Sequence, residues 1–91
     1  MKKHISSSFD LSGMDKIKIH KTLEKLSRFD THISMISVYF TEEEGVVKTI
    51  AEMHYQMPGK KVKRIIKKGK AANAPKALKK AVQKVKKKMV R

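Results

Sequence analysis

The sequence contains no cysteine. This absence excludes disulfide bonds, zinc–cysteine sites and thiol nucleophiles. No apolar run approaches the ~18–20 residues that a membrane span needs, and residues 1–8 carry charge but no apolar stretch typical of a signal peptide. We therefore expect a cytoplasmic protein without a membrane partner.

Acidic residues are missing from the last third of the chain. Residues 60–91 contain fifteen Lys or Arg and no Asp or Glu, whereas residues 1–59 carry eight basic and eight acidic side chains. The last third therefore accounts for the whole formal net charge of +15. Such an excess is self-repulsive and does not help a chain to fold, so it indicates an anionic partner, most commonly a nucleic acid.

Patterns typical of catalytic sites are also missing. The four histidines show no metal-ligand spacing such as H-x-x-x-H. The sequence has neither a G-x-S-x-G nucleophile turn nor a glycine-rich phosphate loop. We expect no enzyme activity, no metal or other cofactor and no small-molecule substrate.

What is present is an alternation of strand and helix patterns over one domain, residues 1–91. A weak strand signal around residues 3–8 precedes a helix from Met14 to Phe29, which Ser12 caps and which buries Ile19, Leu23, Leu26 and Phe29. Strands are predicted over residues 33–40, 46–57 and 61–67, with turns at residues 42–45 and 57–60. Residues 68–72 are predicted to be a loop.

The strongest signal is a second helix near the C-terminus. Asn73 or Ala74 caps it, and Pro75 lies in its first turn. The predicted order is β-α-β-β-β-α, an α+β fold in which a four-stranded antiparallel sheet has two helices packed on one face. This arrangement is similar to that of double-stranded RNA-binding domains.

Basic residues of the last third form the candidate RNA-binding site. Lysines on one side of the second helix recur at every turn, ~5.4 Å. This spacing is close to the distance between phosphates along a nucleic acid strand, ~6–7 Å. The helix N-terminus also suits a phosphate. The candidates are Lys63, Arg64, Lys67, Lys68, Lys70, Lys76, Lys79, Lys80, Lys84 and Lys87.

Other interpretations of the lysines are weaker. A face kept only for solubility normally mixes both signs of charge. A membrane-surface helix usually carries aromatic anchors, and the apolar stripe of the second helix consists of Ala, Val, Leu and Met. Only Tyr39 is predicted to lie on the outer side of the sheet, since Phe29 and Phe40 are expected in the core. Phosphate-and-shape recognition of folded RNA is thus favoured over base stacking.

Several local patterns resemble the ribosome hibernation-promoting factor family, also called ribosome-associated inhibitor or sigma-54 modulation proteins. Thr22-Leu23-Glu24-Lys25-Leu26, running on to Ile33 and then Ile36-Ser37-Val38, is similar to the family's first helix and second strand. Met57-Pro58-Gly59-Lys60 resembles a V-P-G turn of some members. Residues 77–89 stand where the family has a Lys- and Arg-rich second helix. One departure is Asn73-Ala74-Pro75, where members often have aspartate and tyrosine.

The resemblance implies binding to rRNA of the small ribosomal subunit, in the channel used by mRNA and tRNA. It implies inhibition of translation and ribosome hibernation in stationary phase or stress. Carried over by position, it adds Lys21, Lys25 and Arg28 of the first helix to the basic site. The length is similar to that of short members, which lack a further dimerising domain, and we expect a monomer away from the ribosome.

Two other functions remain open at this stage. A general double-stranded RNA-binding module would bind free duplex as well as assembled subunits. A protein-interaction module would use the basic face against an acidic protein and would protect no RNA.

Overall fold

The computed structural model describes residues 1–89. In this range the elements follow the predicted order, and their bounds are β1 (Lys2–Ser7), α1 (Gly13–Phe29), β2 (Ile33–Glu43), β3 (Val46–Tyr55), β4 (Lys63–Ala71) and α2 (Ala74–Met89). The predicted α+β fold class is confirmed.

Helix α1 starts where the sequence predicts. The Ser12 hydroxyl accepts a hydrogen bond of 3.1 Å from the backbone N–H of Asp15, which satisfies one of the donors that a helix start leaves open. Ile19, Leu23 and Leu26 are fully buried at helical spacing. The helix therefore packs one apolar stripe against the sheet and leaves its polar side to solvent.

The sheet is mixed, and its strand order is β1-β2-β3-β4. Strands β2, β3 and β4 are antiparallel neighbours. The prediction of a fully antiparallel sheet is wrong for β1, which pairs with β2 in parallel, with Ile5 opposite Val38. The reason is that α1 connects the two strands and returns the chain to the end of the sheet from which β1 began, as in other helical crossovers.

Both predicted turns are present. Glu44 and Gly45 have φ values of 52° and 76° and join β2 to β3 as a two-residue hairpin loop. Positive φ at both central positions is the geometry that follows the twist of the strands, and glycine adopts it without strain. In the second turn, the N–H of Lys60 donates to the carbonyl of Met57 over 3.0 Å.

Strand β4 continues through the segment that was predicted to be a loop. Lys68, Gly69 and Lys70 pair with Ile50, Thr49 and Lys48 of β3. A lysine-rich stretch with a glycine has low strand propensity, but nine residues of β3 provide partners for the whole of β4. Tertiary pairing therefore overrides the local preference.

Gly69 is the point at which α2 rests on the sheet. A β-carbon at this position would collide with the carbonyl oxygen of Ala77 and lie 2.9 Å from the amide nitrogen of Ala81. The absence of a side chain thus lets the backbone of the helix approach the backbone of the strand. Ala77 and Ala81 are both fully buried, and their small side chains let the helix backbone lie close to the strand.

One apolar core lies between the helices and the sheet. Ile36, Val38 and Phe40 of β2 and Leu78 and Val85 of α2 are fully buried in it. The prediction that Phe29 belongs to the core is wrong, because its side chain at the end of α1 is 44% exposed. The other side of the sheet carries no helix, and Tyr39 lies there at 42% exposure, as predicted.

Neither helix of residues 1–89 is long and apolar enough to cross a membrane.

The close approach at Gly69 gives a test of the fold. We expect Gly69→Ala to lower the free energy of unfolding by about 1–3 kcal/mol, because helix and strand must separate to admit the methyl group. Gly13→Ala is the matched control, since no atom lies within 4 Å of its β-carbon position. Urea denaturation followed by circular dichroism measures both, and equal stability of the two variants would contradict the close contact.

Asp30 holds the connector between α1 and β2. Its carboxylate accepts hydrogen bonds from the backbone N–H of His32 at 2.8 Å and from the ring Nδ1 at 2.9 Å. The backbone hydrogen bond lowers the pKa of Asp30, and the ring adds to the effect, while partial burial opposes it. Lowering the pKa means that the ionised carboxylate stabilises the folded state.

This stabilisation must depend on pH. It is complete above the pKa of an unfolded aspartate, about 3.9, and is lost as the pH falls through the lower pKa of the folded state. Asp30→Asn keeps an oxygen for the backbone bond but removes the charge, so the variant should be less stable than the parent at neutral pH and should approach it as the pH falls through the lowered pKa of Asp30 in the folded state. Urea denaturation across this range measures the difference.

Glu24→Gln is the control for the net change of charge, since Glu24 is exposed and forms no ion pair within residues 1–89. A stability difference for Asp30→Asn that stays constant with pH, or that Glu24→Gln reproduces, would show that the charge of Asp30 has no local role.

Candidate nucleic-acid interface

The two helices lie side by side on the same face of the sheet, and a basic groove runs between them. Its first part has a volume of about 320 Å³. Lys18, Lys21 and Lys25 line it from α1, and Lys76 and Lys79 line it from α2. We call this surface the interhelical groove.

The groove continues toward the C-terminal half of α2. This second part, about 220 Å³, has Lys25 and Lys79 in common with the first and ends at Lys86. The ammonium group of Lys86 lies 5.1 Å from the centre of the Phe29 ring. This cation–π contact joins the end of α1 to α2 and gives the exposed Phe29 a partner.

Among residues 1–89, no acidic side chain lines the interhelical groove. Glu24, which interrupts the basic pattern of α1 in the sequence, is exposed and is not among the lining residues. Within residues 1–89, none of the lysines of the groove lies within ion-pair distance of a carboxylate. Its positive charge is therefore not neutralised inside the protein, and a polyanion can occupy it without displacing an internal partner.

A second cationic surface follows the outer side of α2, next to the groove. Lys80, Lys84 and Lys87 are exposed there. The Lys84 ammonium group donates a hydrogen bond of 2.8 Å to the backbone carbonyl of Lys68 in β4. Since an ammonium has three donors, Lys84 can hold the edge of the sheet and still contact a phosphate.

The basic residues of β4 do not belong to one surface. Side chains alternate along a strand, and Ile65 and Gly69 are the buried positions. Lys63 and Lys67 therefore lie on the helix side, whereas Arg64, Lys68 and Lys70 lie on the side without helices. We call the latter side the open sheet face.

The N-terminus of α2 offers a phosphate fewer free backbone N–H groups than a helix start usually does. The Asn73 side chain already accepts from the N–H of Lys76 at 3.0 Å. Pro75 has no N–H, and the N–H of Ala77 donates to the Asn73 carbonyl. The cap prediction is thus confirmed for Asn73, and a phosphate at this end would be held mainly by the lysines beside it.

The structure places the predicted basic residues in three groups. Lys21, Lys25, Lys76 and Lys79 meet in the interhelical groove. Lys80, Lys84 and Lys87 follow the outer side of α2. Lys63 and Lys67 lie on the helix side of β4, while Arg64, Lys68 and Lys70 lie on the open sheet face. Arg28 is exposed near the end of α1 and is not among the residues that line the groove.

Sequence reasoning missed Lys18 and Lys86, which also line the groove. The signal for Lys18 was present, because positions 18, 21 and 25 recur on one face of a helix. No comparable signal exists for Lys86, since its place depends on the contact with Phe29.

Other cavities are less suited to a polyanion. A space of about 320 Å³ beside β1 is lined by Ile5, Phe9, Leu11 and the acidic Asp10, among others. Within residues 1–89, no three His, Asp or Glu side chains are close enough together to hold a metal ion.

Two solved structures share this fold. A ribosomal subunit interface protein from Coxiella burnetii superposes with a TM-score of 0.73 at 18% sequence identity, covering 97% of this chain and 92% of the other. The N-terminal domain of Protein Y from Thermus thermophilus gives a TM-score of 0.62 at 21% identity, covering 97% and 94%. These matches agree with the fold that the family resemblance implied.

No protein-family model matches the sequence, and no curated protein matches it. At these identities the structural likeness shows the fold.

The groove predicts that α1 takes part in binding RNA. Lys21→Gln with Lys25→Gln should lower the affinity for a structured RNA and reduce the slope of log affinity against log salt by about 2, one for each lost phosphate contact. Fluorescence anisotropy at several salt concentrations measures both quantities. Lys60→Gln with Lys61→Gln is the matched control, because both are exposed and lie outside the groove.

If the control variant changes the slope as much as the groove variant does, the binding depends on net charge alone and the groove has no special role.

Proposed function

We propose that this protein binds the small ribosomal subunit through the helix side of its fold. There it occupies the channel used by mRNA and tRNA and inhibits translation while ribosomes are idle. In this proposal the chain is a member of the hibernation-promoting factor family, and rRNA is its direct partner.

The observation that carries the proposal is the acid-free groove between α1 and α2. Lysines line both walls, so an RNA backbone lying in the groove is contacted from two sides. Neighbouring lysines on each helix are about one turn apart, ~5.4 Å, so successive phosphates along a strand can be neutralised together. The likeness to a ribosomal subunit interface protein supports the choice of the ribosome among structured RNAs.

Inhibition follows from occupancy and needs no chemical step. The groove and the outer row of α2 are built on helices packed to a common core, so the basic side chains are positioned before the RNA arrives. A preformed surface of this kind avoids the entropy loss of folding on binding. A protein held on rRNA in the channel excludes mRNA and tRNA sterically.

Co-sedimentation with purified small subunits at near-physiological salt tests the proposal. We expect the protein to migrate with the subunits and to be displaced by tRNA or mRNA, and free duplex RNA should compete poorly. Migration that ribosomal ligands do not affect, or equal competition by free duplex, would contradict channel binding and favour a general duplex-binding module.

Lysines of α2 from the interhelical groove and from its outer side give a mutational test of the same proposal. Lys76→Ala, Lys80→Ala and Lys84→Ala together should weaken subunit binding and flatten its salt slope by about one unit for each lost phosphate contact. The fold should persist, because all three side chains are exposed and alanine favours helix.

The matched control replaces Lys3, Lys60 and Lys61, which are exposed and lie outside both helices and β4. Unchanged binding of the α2 variant, with circular dichroism showing an intact fold, would contradict the assignment of α2 to the surface that binds the subunit.

A further inference from the structure

The open sheet face combines exposed apolar side chains with cations. Tyr39 of β2 pairs with Ile50 of β3, and Ile50 in turn pairs with Lys68 of β4. Tyr39 and Ile50 are each 42% exposed, and Ile66 beside them is 44% exposed. No helix covers this side, so the ring and both isoleucines face solvent.

Basic side chains surround this apolar centre. Lys48 and Lys70 pair across β3 and β4 next to the Tyr39 row, and Arg64 lies farther along β4. A shallow depression of about 160 Å³ runs between Tyr39, Ile50 and the lysines at positions 48, 68 and 70. One aromatic residue thus lines the same depression as three lysines.

The acidic residues of this face are few and already engaged. Glu52 is 2.7 Å from the ring nitrogen Nε2 of His54, and Glu43 is 3.7 Å from the ammonium of Lys48. Within residues 1–89, Lys68 and Lys70 are not within ion-pair distance of any carboxylate. The depression is therefore net positive.

We propose that the open sheet face binds a segment of unpaired RNA, with a base stacked on Tyr39 and its flanking phosphates on Lys68 and Lys70. Lys68 and Lys70 are two residues apart on β4, about 6.6–6.8 Å, so both side chains lie on the same face and can contact phosphates of one RNA strand. An unpaired nucleotide exposes the base plane that Tyr39 can stack on, whereas a duplex hides its base planes within the stack.

The position of the open sheet face supports unpaired RNA as its ligand. Lys84 of α2 touches the carbonyl of Lys68, so the cationic surface continues from the outer side of α2 over the edge of β4 onto the open face. A second copy of the chain is disfavoured, since two net positive faces repel each other. This proposal builds on the proposed function, to which it adds a single-stranded RNA segment on the opposite side of the sheet.

Methyl NMR on the full chain tests the proposal with oligouridylate of about eight nucleotides, within the site sizes known for single-strand binders. We expect ring-current shifts at the Ile50 and Ile66 methyl groups. The methyl of Ile17, which is 53% exposed on α1, is the internal control and should move little. Tyr39→Ala should weaken oligouridylate binding about tenfold, and Tyr39→Phe should retain it, since stacking needs the ring and not the hydroxyl.

The outcomes separate this proposal from the previous one. Tyr39→Ala should leave the affinity for duplex RNA unchanged, while the Lys21→Gln, Lys25→Gln variant of the interhelical groove should keep the shifts at Ile50 and Ile66. If oligouridylate moves only resonances of the helix side, or if Tyr39→Ala binds it as the parent does, the open-face site is wrong and the ribosome-binding proposal is untouched.

Two further results would overturn the open-face site. Equal shifts at Ile50 and Ile66 on adding polyglutamate would indicate an acidic protein partner instead. Shifts that depend on protein concentration without RNA would indicate self-association.

Discussion

The contact between α2 and β4 at Gly69 is the constraint on which the basic surfaces depend. Because this residue has no β-carbon, the backbone of the helix rests directly on the backbone of the strand, with Ala81 on the helix side. That approach sets the height of α2 above the sheet. In this position the lysines of α2 line one wall of the interhelical groove, and those of α1 line the other.

The same packing has to withstand the repulsion of the lysines. Within residues 1–89 a single lysine, Lys48, is paired with a carboxylate, so almost all of the positive charge is left to solvent and counterions. The core opposes this repulsion by apolar burial, with Phe40, Leu78 and Val85 fully enclosed. Binding an anion relieves the repulsion, which links the composition of the last third directly to function.

Much of the fold was predictable because its local and global signals agree. The sequence patterns correctly indicate the caps Ser12 and Asn73, the burial of Ile19, Leu23 and Leu26 in α1, and the hairpin turns. The predictions that are wrong concern residues whose conformation or exposure depends on contacts with residues far away in the sequence. Residues 68–71 are strand because β3 pairs with them. Phe29 is the last residue of α1, and its exposed ring contacts the ammonium group of Lys86 instead of the core.

The sequence by itself determined the charge of the last third, the amphipathic faces of both helices and the order of the elements, since these depend on composition and on periods of a few residues. Only the tertiary structure decided which lysines act together. It joined Lys21 and Lys25 to Lys76 and Lys79 across some fifty residues of chain, and it separated Lys67 from Lys68. The physical reason is that packing chooses which helices become neighbours and which side of a strand they cover, and a one-dimensional pattern contains neither choice.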